Sequence, residues 1–430
     1  MSPLRLGTFP VKRLQFGPKT RWDAGILTID TDELIAAVRT DPKVERVRID
    51  ITAPGESCRI IHVADVLEPR VKVDGPGQTY PGVCGRPVDG VGTGTTHRLG
   101  GMAVVESALN QRAAAVRTMT AEQALQLPQN SRPQDYIDMG GPGAVTPAAS
   151  LHNVVVTVDA RDGVIGEDQY LVTHGAALKV ADILAGAVAR LAPPQLEVID
   201  IARRGQDLPG IVFNCNLMSM EHWTGPDSKM GTAIYGVTRL SAPWVLSPAE
   251  MLDGAVSQRV SWHFTNNPIV RQLLDRHGKD LNFLACIIQR TNWGGQREMQ
   301  LSANRSAQIA ALLDARGAII TTNIRGRRFV DTVLGVTAYE EAGIKAVLMT
   351  EEEDDEDGSA PPLLVYTPEM QAIVSTGAGA AGPFQAVERV IGARQGDEAW
   401  SGALPDITGR YGAFHIQDYY GFGRQSREDY

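Results

Sequence analysis

The sequence predicts an α/β protein, with a β-rich N-terminal domain and a doubly wound C-terminal α/β domain. Three observations predict it. Short alternating runs punctuated by Gly and Pro fill the first part of the chain. From Leu281 onward, apolar runs alternate with amphipathic stretches at the spacing of βα units. Apolar residues make up 43% and charged residues 21% of 430, the balance of a globular chain with a sizeable core.

The elements follow in order. Gly25 to Asp30 reads as a short strand, and Thr31 or Asp32 as the cap of a helix over Glu33 to Thr40. Arg46 to Ile51 alternates polar and apolar residues, the period of a half-buried strand. Arg59 to Val63 and Arg70 to Val73 share that character. Gly75-Pro76-Gly77, Pro81-Gly82 and Gly90 to Gly94 are turns. Ala121 to Ala149 is polar and rich in Pro and Gly, a junction. Asn153 to Ala160 is a strand, and Glu167 to Leu191 a helix stopped by Pro193-Pro194. Leu196 to Ile201 and Ile211 to Asn214 are strands. Ser247-Pro248 opens a helix, with Ser as cap and Pro at the first helical position. In the last part, Asn282 to Ile288, Ala318 to Thr321, Lys345 to Met349 and Gln371 to Val374 are strands. Gln300 to Leu313 and Phe329 to Ala342 are helices between them. Three regions result: 1–150, β-rich; 151–265, mixed; 266–430, doubly wound.

Composition excludes several function classes. The formal net charge is -9 and no basic run occurs, which argues against nucleic acid. The four cysteines are scattered without a CxxC pair, so no zinc knuckle or dithiol motif is present. No apolar run reaches the roughly 18–20 residues needed to cross a membrane. The N-terminus lacks an apolar signal core, so a cytoplasmic protein is expected.

Candidate chemistry sits first at strand ends, where open α/β sheets bind ligands. Asn292, Asn323, Glu351 and Thr376 fall there and can hydrogen-bond a small polar substrate. Gly377 to Gly382 matches GxGxxG, but no acidic partner strand follows, so it reads as a Gly-rich turn. Glu351 to Asp357 is an acidic, solvated run. Among eight histidines none has HExxH spacing; His97 stands out because it follows the Gly-rich loop Gly90 to Thr96. Cys215 is a candidate thiol at a strand end. With His222 and His263 it is compatible with a divalent metal, though no spacing demands one and no metal site is assigned. No GxSxG elbow and no Walker loop occur.

An ordered series of motifs adds a resemblance. Pro54-Gly55-Glu56-Ser57 leads to Arg59-Ile60-Ile61, then to the run from Asp65-Val66-Leu67-Glu68-Pro69-Arg70 to Gly77. Thr96-His97, Asp138-Met139, Gly141-Pro142-Gly143-Ala144 and Asn153 to Val156 follow. Met251-Leu252-Asp253-Gly254-Ala255, Asn266-Asn267-Pro268 and Arg276 to Asp280 close the series. Over nearly its whole length the chain resembles the component B proproteins of the glycine, sarcosine and betaine reductases, and more distantly the proline reductase proprotein. The resemblance implies self-cleavage at an internal cysteine, which becomes a pyruvoyl group. That group forms a Schiff base with the substrate amine, and a partner subunit's thiol or selenol then breaks the C–N bond reductively.

The chain departs from this pattern at one place. The cleavage cysteine of the family lies between the Asp-Gly-Ala and Asn-Asn-Pro motifs. Here that interval, Val256 to Thr265, is short and holds no cysteine. An uncleaved chain without a pyruvoyl group is expected, acting with a thiol- or selenol-bearing partner on a small amine or amide. Serine-derived cleavage at Ser257 or Ser261 is one alternative. Hydrolysis of a C–N bond, metal-assisted, is another, and a non-catalytic scaffold for the partner is a third.

Overall fold

The computed structural model describes residues 2–108, 136–202, 204–205, 207–217, 233–237, 243–291, 295–322, 329–352, 363–378, 386–392 and 419–422. Two four-stranded sheets build the N-terminal part. One runs Gln195–Ile199, Leu4–Pro10, Gly94–Gly100, Arg70–Asp74. The other runs Val44–Thr52, His152–Ala160, Met102–Ser107, Val63–Leu67. The central strands of the second sheet are buried on both faces. Val104, Val154 and Val156 pack toward the Gly166–Gly186 helix, and Val105 and Val155 toward Ile60 and Ile137. That is why these segments read as nearly unbroken apolar runs rather than as alternating ones.

The helix over Thr31–Val38 starts one residue before the expected caps: Asp30 accepts from the backbone N–H of Asp32 and Glu33. The long helix stops at Gly186, short of Leu191. Beyond it the chain tightens into i→i+3 bonds, such as Val188 N–H to Ala185 O. Ser247 and Glu250 form the reciprocal capping box at the head of Pro248–Leu252.

The C-terminal sheet has six strands, in the order Trp244–Leu246, Asn282–Arg290, Gly210–Leu217, Ala315–Thr322, Lys345–Glu352, Ile373–Ala378. The first is an antiparallel edge and the rest are parallel. Chain order among the parallel strands is second, first, third, fourth, fifth. This doubly wound order has its switch point between Gly210–Leu217 and Ala315–Thr322. The central strand Gly210–Leu217 comes from the stretch read as mixed, so the sheet begins before residue 266. One face packs against the Gln296–Leu312 and Phe329–Glu341 helices. The other packs under Pro248–Leu252, Pro268–Arg276 and residues 419–422.

Strands from distant parts of the chain pair with N-terminal strands. Arg389–Gly392 pairs in parallel with Cys58–Ile61, and Gln195–Ile199 pairs with Leu4–Pro10. Among the described residues no helix is long and apolar enough to cross a membrane.

Candidate active site

At the carboxyl ends of the C-terminal sheet, register and alternation sort the side chains. Cys215 lies opposite Ile288 on one neighbouring strand and Thr321 on the other, and Thr321 lies opposite Met349. Register partners project to one face, so Cys215, Thr321 and Met349 share it, and Glu351 follows by the two-residue period. Residues 419–422 cover this face. The Tyr420 hydroxyl lies 3.6 Å from Cys215 Sγ, and Tyr420 packs edge-on against His263 with ring centroids 6.0 Å apart. Burial pushes the Cys215 thiol up to about 12 and the His263 imidazole down to about 3. At neutral pH both are uncharged. Thr376 is buried one strand beyond Glu351, and its hydroxyl has no hydrogen-bond partner among the described residues. A buried hydroxyl left open at a strand end is a place for a polar ligand or a water.

The opposite face of the same strand ends is polar too. Asn214 donates to Asn216, which donates to Thr332 Oγ1 at 3.0 Å, and the Tyr339 hydroxyl donates to Asn214 Oδ1 at 3.1 Å. This network ties the switch-point strand to the Phe329–Glu341 helix.

The interval between the Asp-Gly-Ala and Asn-Asn-Pro motifs runs beside this sheet and is buried over most of its length. Arg70 ties its end, Thr265, to Leu252 just ahead of the Asp-Gly-Ala motif. Its guanidinium donates to Leu252 O and to Thr265 O while pairing with Glu68. Burial works against charge on Glu68, but Arg70 and Arg98 outweigh it and hold the carboxyl below its ordinary range. Asp253 is fixed by Lys72, the Thr96 hydroxyl and the Gly92 N–H. Gly92 sits at φ +89, and a Cβ there would come within 2.7 Å of Glu250 N, so glycine is required. Asn267 caps the Pro268–Arg276 helix through Ile269 and Val270 N–H.

Within the interval, Ser261 is held by Asp65: the hydroxyl donates to Oδ2 at 2.6 Å and the backbone N–H to Oδ1 at 2.8 Å. Ser257 Oγ lies 3.5 Å from Ser261 Oγ. Behind Asp65 lies His174, 4.0 Å away and hydrogen-bonded to Glu106 at 2.8 Å. Tyr170 stacks on the imidazole with ring centroids 5.0 Å apart. Burial pushes Asp65 up to about 6, against the pull of His174 and Ser261. Burial opposes charge on His174 as well, but Glu106 and Asp65 prevail and raise it. Asp65, Glu106, His174 and Ser261 are all buried. The cavity beside Val260 and His263 measures about 10 Å³, room for roughly one water.

The structure therefore brings Cys215 and His263 together around Tyr420, with Glu351 and Thr376 at neighbouring strand ends. Asn292, Asn323 and His222 lie outside the described residues, as do most of the acidic run and the Gly-rich turn. His97 is elsewhere, and it is on a strand, not in a loop. Within Gly94–Gly100 it packs on Phe9, and its Nδ1–H donates to Val188 O at 2.9 Å. That bond satisfies a carbonyl just past the end of the long helix. Among the described residues no group of three or more His, Cys, Asp or Glu is arranged to hold a metal. Sequence reading missed Asp65, Glu106, His174 and Tyr420 as neighbours of the interval. Glu106 carried a signal, a carboxylate in the apolar strand Met102–Ser107. His174 did not, since its partners are distant in sequence.

The sequence profile of the glycine/sarcosine/betaine reductase component B subunits matches residues 2–425. The sarcosine reductase complex component B subunit alpha of Peptoclostridium acidaminophilum is 28% identical, over 96% of this chain and 95% of its own length. The betaine reductase complex component B subunit alpha of the same organism is 30% identical, over 87% and 84%. The glycine reductase complex component B subunits alpha and beta of Acetoanaerobium sticklandii are 29% identical, over 87% and 85%. No solved structure matches.

Proposed function

Because the chain belongs to the glycine/sarcosine/betaine reductase component B family, we propose that it is an uncleaved subunit of a reductase-like complex acting on a C–N bond of a small amine or amide. One observation carries the uncleaved reading. The interval where the resemblance places the cleavage cysteine holds none, is buried over most of its length, and is bracketed by one arginine that binds Leu252 O before it and Thr265 O at its end. The pyruvoyl group does not fit these residues. The two serine hydroxyls present are enclosed, and Ser261 is committed to Asp65. In this reading the substrate lies at the strand ends against Glu351 and Thr376, under Cys215, Tyr420 and His263. Asn292 and Asn323 join it on sequence position alone. The packing of His97 supports a structural role, so it is left out.

Without a Schiff base to activate the nitrogen, bond cleavage falls to a partner. Cys215 is a poor nucleophile here, since burial keeps its thiol protonated at neutral pH. The reading therefore assigns the attacking thiol or selenol to a separate subunit. The test is intact mass under denaturing conditions, before and after a carbonyl-trapping hydrazine. One species at the mass of the whole chain, without adduct, is expected. Two fragments split between Ser257 and Thr265, one of them trapping hydrazine, would overturn the reading.

A further inference from the structure

A second cavity lies well away from the strand ends. It measures about 320 Å³ and opens between the Thr31–Val38 helix, the outer side of the Gly166–Gly186 helix and the loop around Cys84. That volume is at the low end of small-molecule pockets, roughly 300–1,000 Å³. We propose that this cavity binds an amino-acid-like zwitterion with an apolar side group, at a site separate from the one that processes the C–N bond.

Its lining carries the argument. Four charged side chains line it: Lys179, Asp41, Arg86 and Asp182. The Arg86–Asp182 pair is closed upon itself at 2.6 Å, and Arg86 also donates to Thr79 O, which makes it a fixed wall. Lys179 and Asp41 are each left with open hydrogen-bonding capacity. Lys179 donates to Thr40 Oγ1 at 2.9 Å and keeps its remaining ammonium hydrogens for a ligand carboxylate. Asp41 uses Oδ1 to hold the Lys43 N–H and keeps Oδ2 for an ammonium. Leu171 lies in the cavity at 37% exposure, an apolar surface for the ligand's side group. The loop is held in one shape, since Tyr80 and Cys84 adopt left-handed backbone at φ 58 and φ 49. Glycine has the charges but leaves most of the volume empty, so the bare amino acid is a poor occupant.

The test is calorimetric titration of the full-length protein with L-leucine, glycine, isoamylamine and isocaproate. Leucine is expected to bind with a Kd of roughly millimolar or below, and the other three about tenfold or more weakly. Lys179→Gln and Asp41→Asn should each weaken leucine about tenfold. Both positions are solvent-accessible, and Asn preserves the Oδ1 acceptor, so unchanged melting curves confirm that the folds are intact. No leucine binding up to roughly 10 mM, equal binding of glycine, or leucine binding untouched by both substitutions would each overturn the proposal. Any of these outcomes leaves the intact-mass test of the uncleaved reading unaffected.

Discussion

At the scale of single residues, two buried groups pull stability in opposite directions with pH. His263 is forced neutral, its imidazole lowered from 6.5 to about 3 by burial. The unfolded chain takes up that proton and the native chain does not. Stability is therefore lost as pH falls from about 6.5 toward about 3, by about 5 kcal/mol at the limit. Asp65 is raised from 3.8 to about 6. Its native state binds the extra proton, so stability falls as pH rises from about 4 to about 6, by about 3 kcal/mol at the limit. Between about pH 6.5 and 4 the two largely offset one another, so each is read from its own variant. Urea unfolding at a series of pH values between about 6.5 and 4 checks this. Relative to the parent chain, His263→Phe should gain stability as pH falls through this range, and Asp65→Asn should lose it. An unchanged profile in His263→Phe would mean that this imidazole is not held neutral.

At the scale of elements, the decisive contact is Arg70 between Leu252 O and Thr265 O. Replacing it with Met strands two carbonyls and leaves Glu68 with Arg98, at 3.7 Å, as its remaining ion pair among the described residues. Breaking one partner out of a buried pair costs about 3–5 kcal/mol. The urea midpoint of Arg70→Met should fall accordingly, and protease should cut first between residues 256 and 265. A loss below about 1 kcal/mol, with no new cleavage site, would show that Arg70 does not clamp the interval. The elements themselves were largely legible in the sequence. Strands such as Asn282–Arg290 and Gly210–Leu217 are buried on both faces, and their apolar runs say so. The clamp was not legible, because Arg70, Leu252 and Thr265 meet only in the tertiary fold. Nor was the placement of His97. A Gly-rich run before a histidine suggests a loop, yet Gly94 already begins a strand, paired with Leu4. The cap of the first helix moved for a local reason: Asp30 reaches two N–H groups at once. Cys215 could be placed at a strand end from sequence, but not under Tyr420, which lies 205 residues away.

At the scale of the whole molecule, strands cross between the parts that the sequence separates. Gln195–Ile199 completes a sheet begun at Leu4, and Arg389–Gly392 joins Cys58–Ile61 from the far end of the chain. Arg389 also donates to Ile51 O, and Glu388 N–H to Ser57 O. Each crossing strand ties its part to another through ladder hydrogen bonds, so neither part can unfold without breaking them. The expected consequence is one cooperative thermal transition, with calorimetric and van't Hoff enthalpies in agreement. Removing residues 387–430 takes away the Arg389–Gly392 strand and the residues that cover Cys215. That truncation should lower the melting temperature by on the order of several °C, and the single transition should persist, because Gln195–Ile199 and Arg70 still couple the rest. Two resolved transitions in the full chain would show that the N-terminal sheets and the six-stranded sheet unfold separately. The crossing strands would then be contacts without energetic coupling.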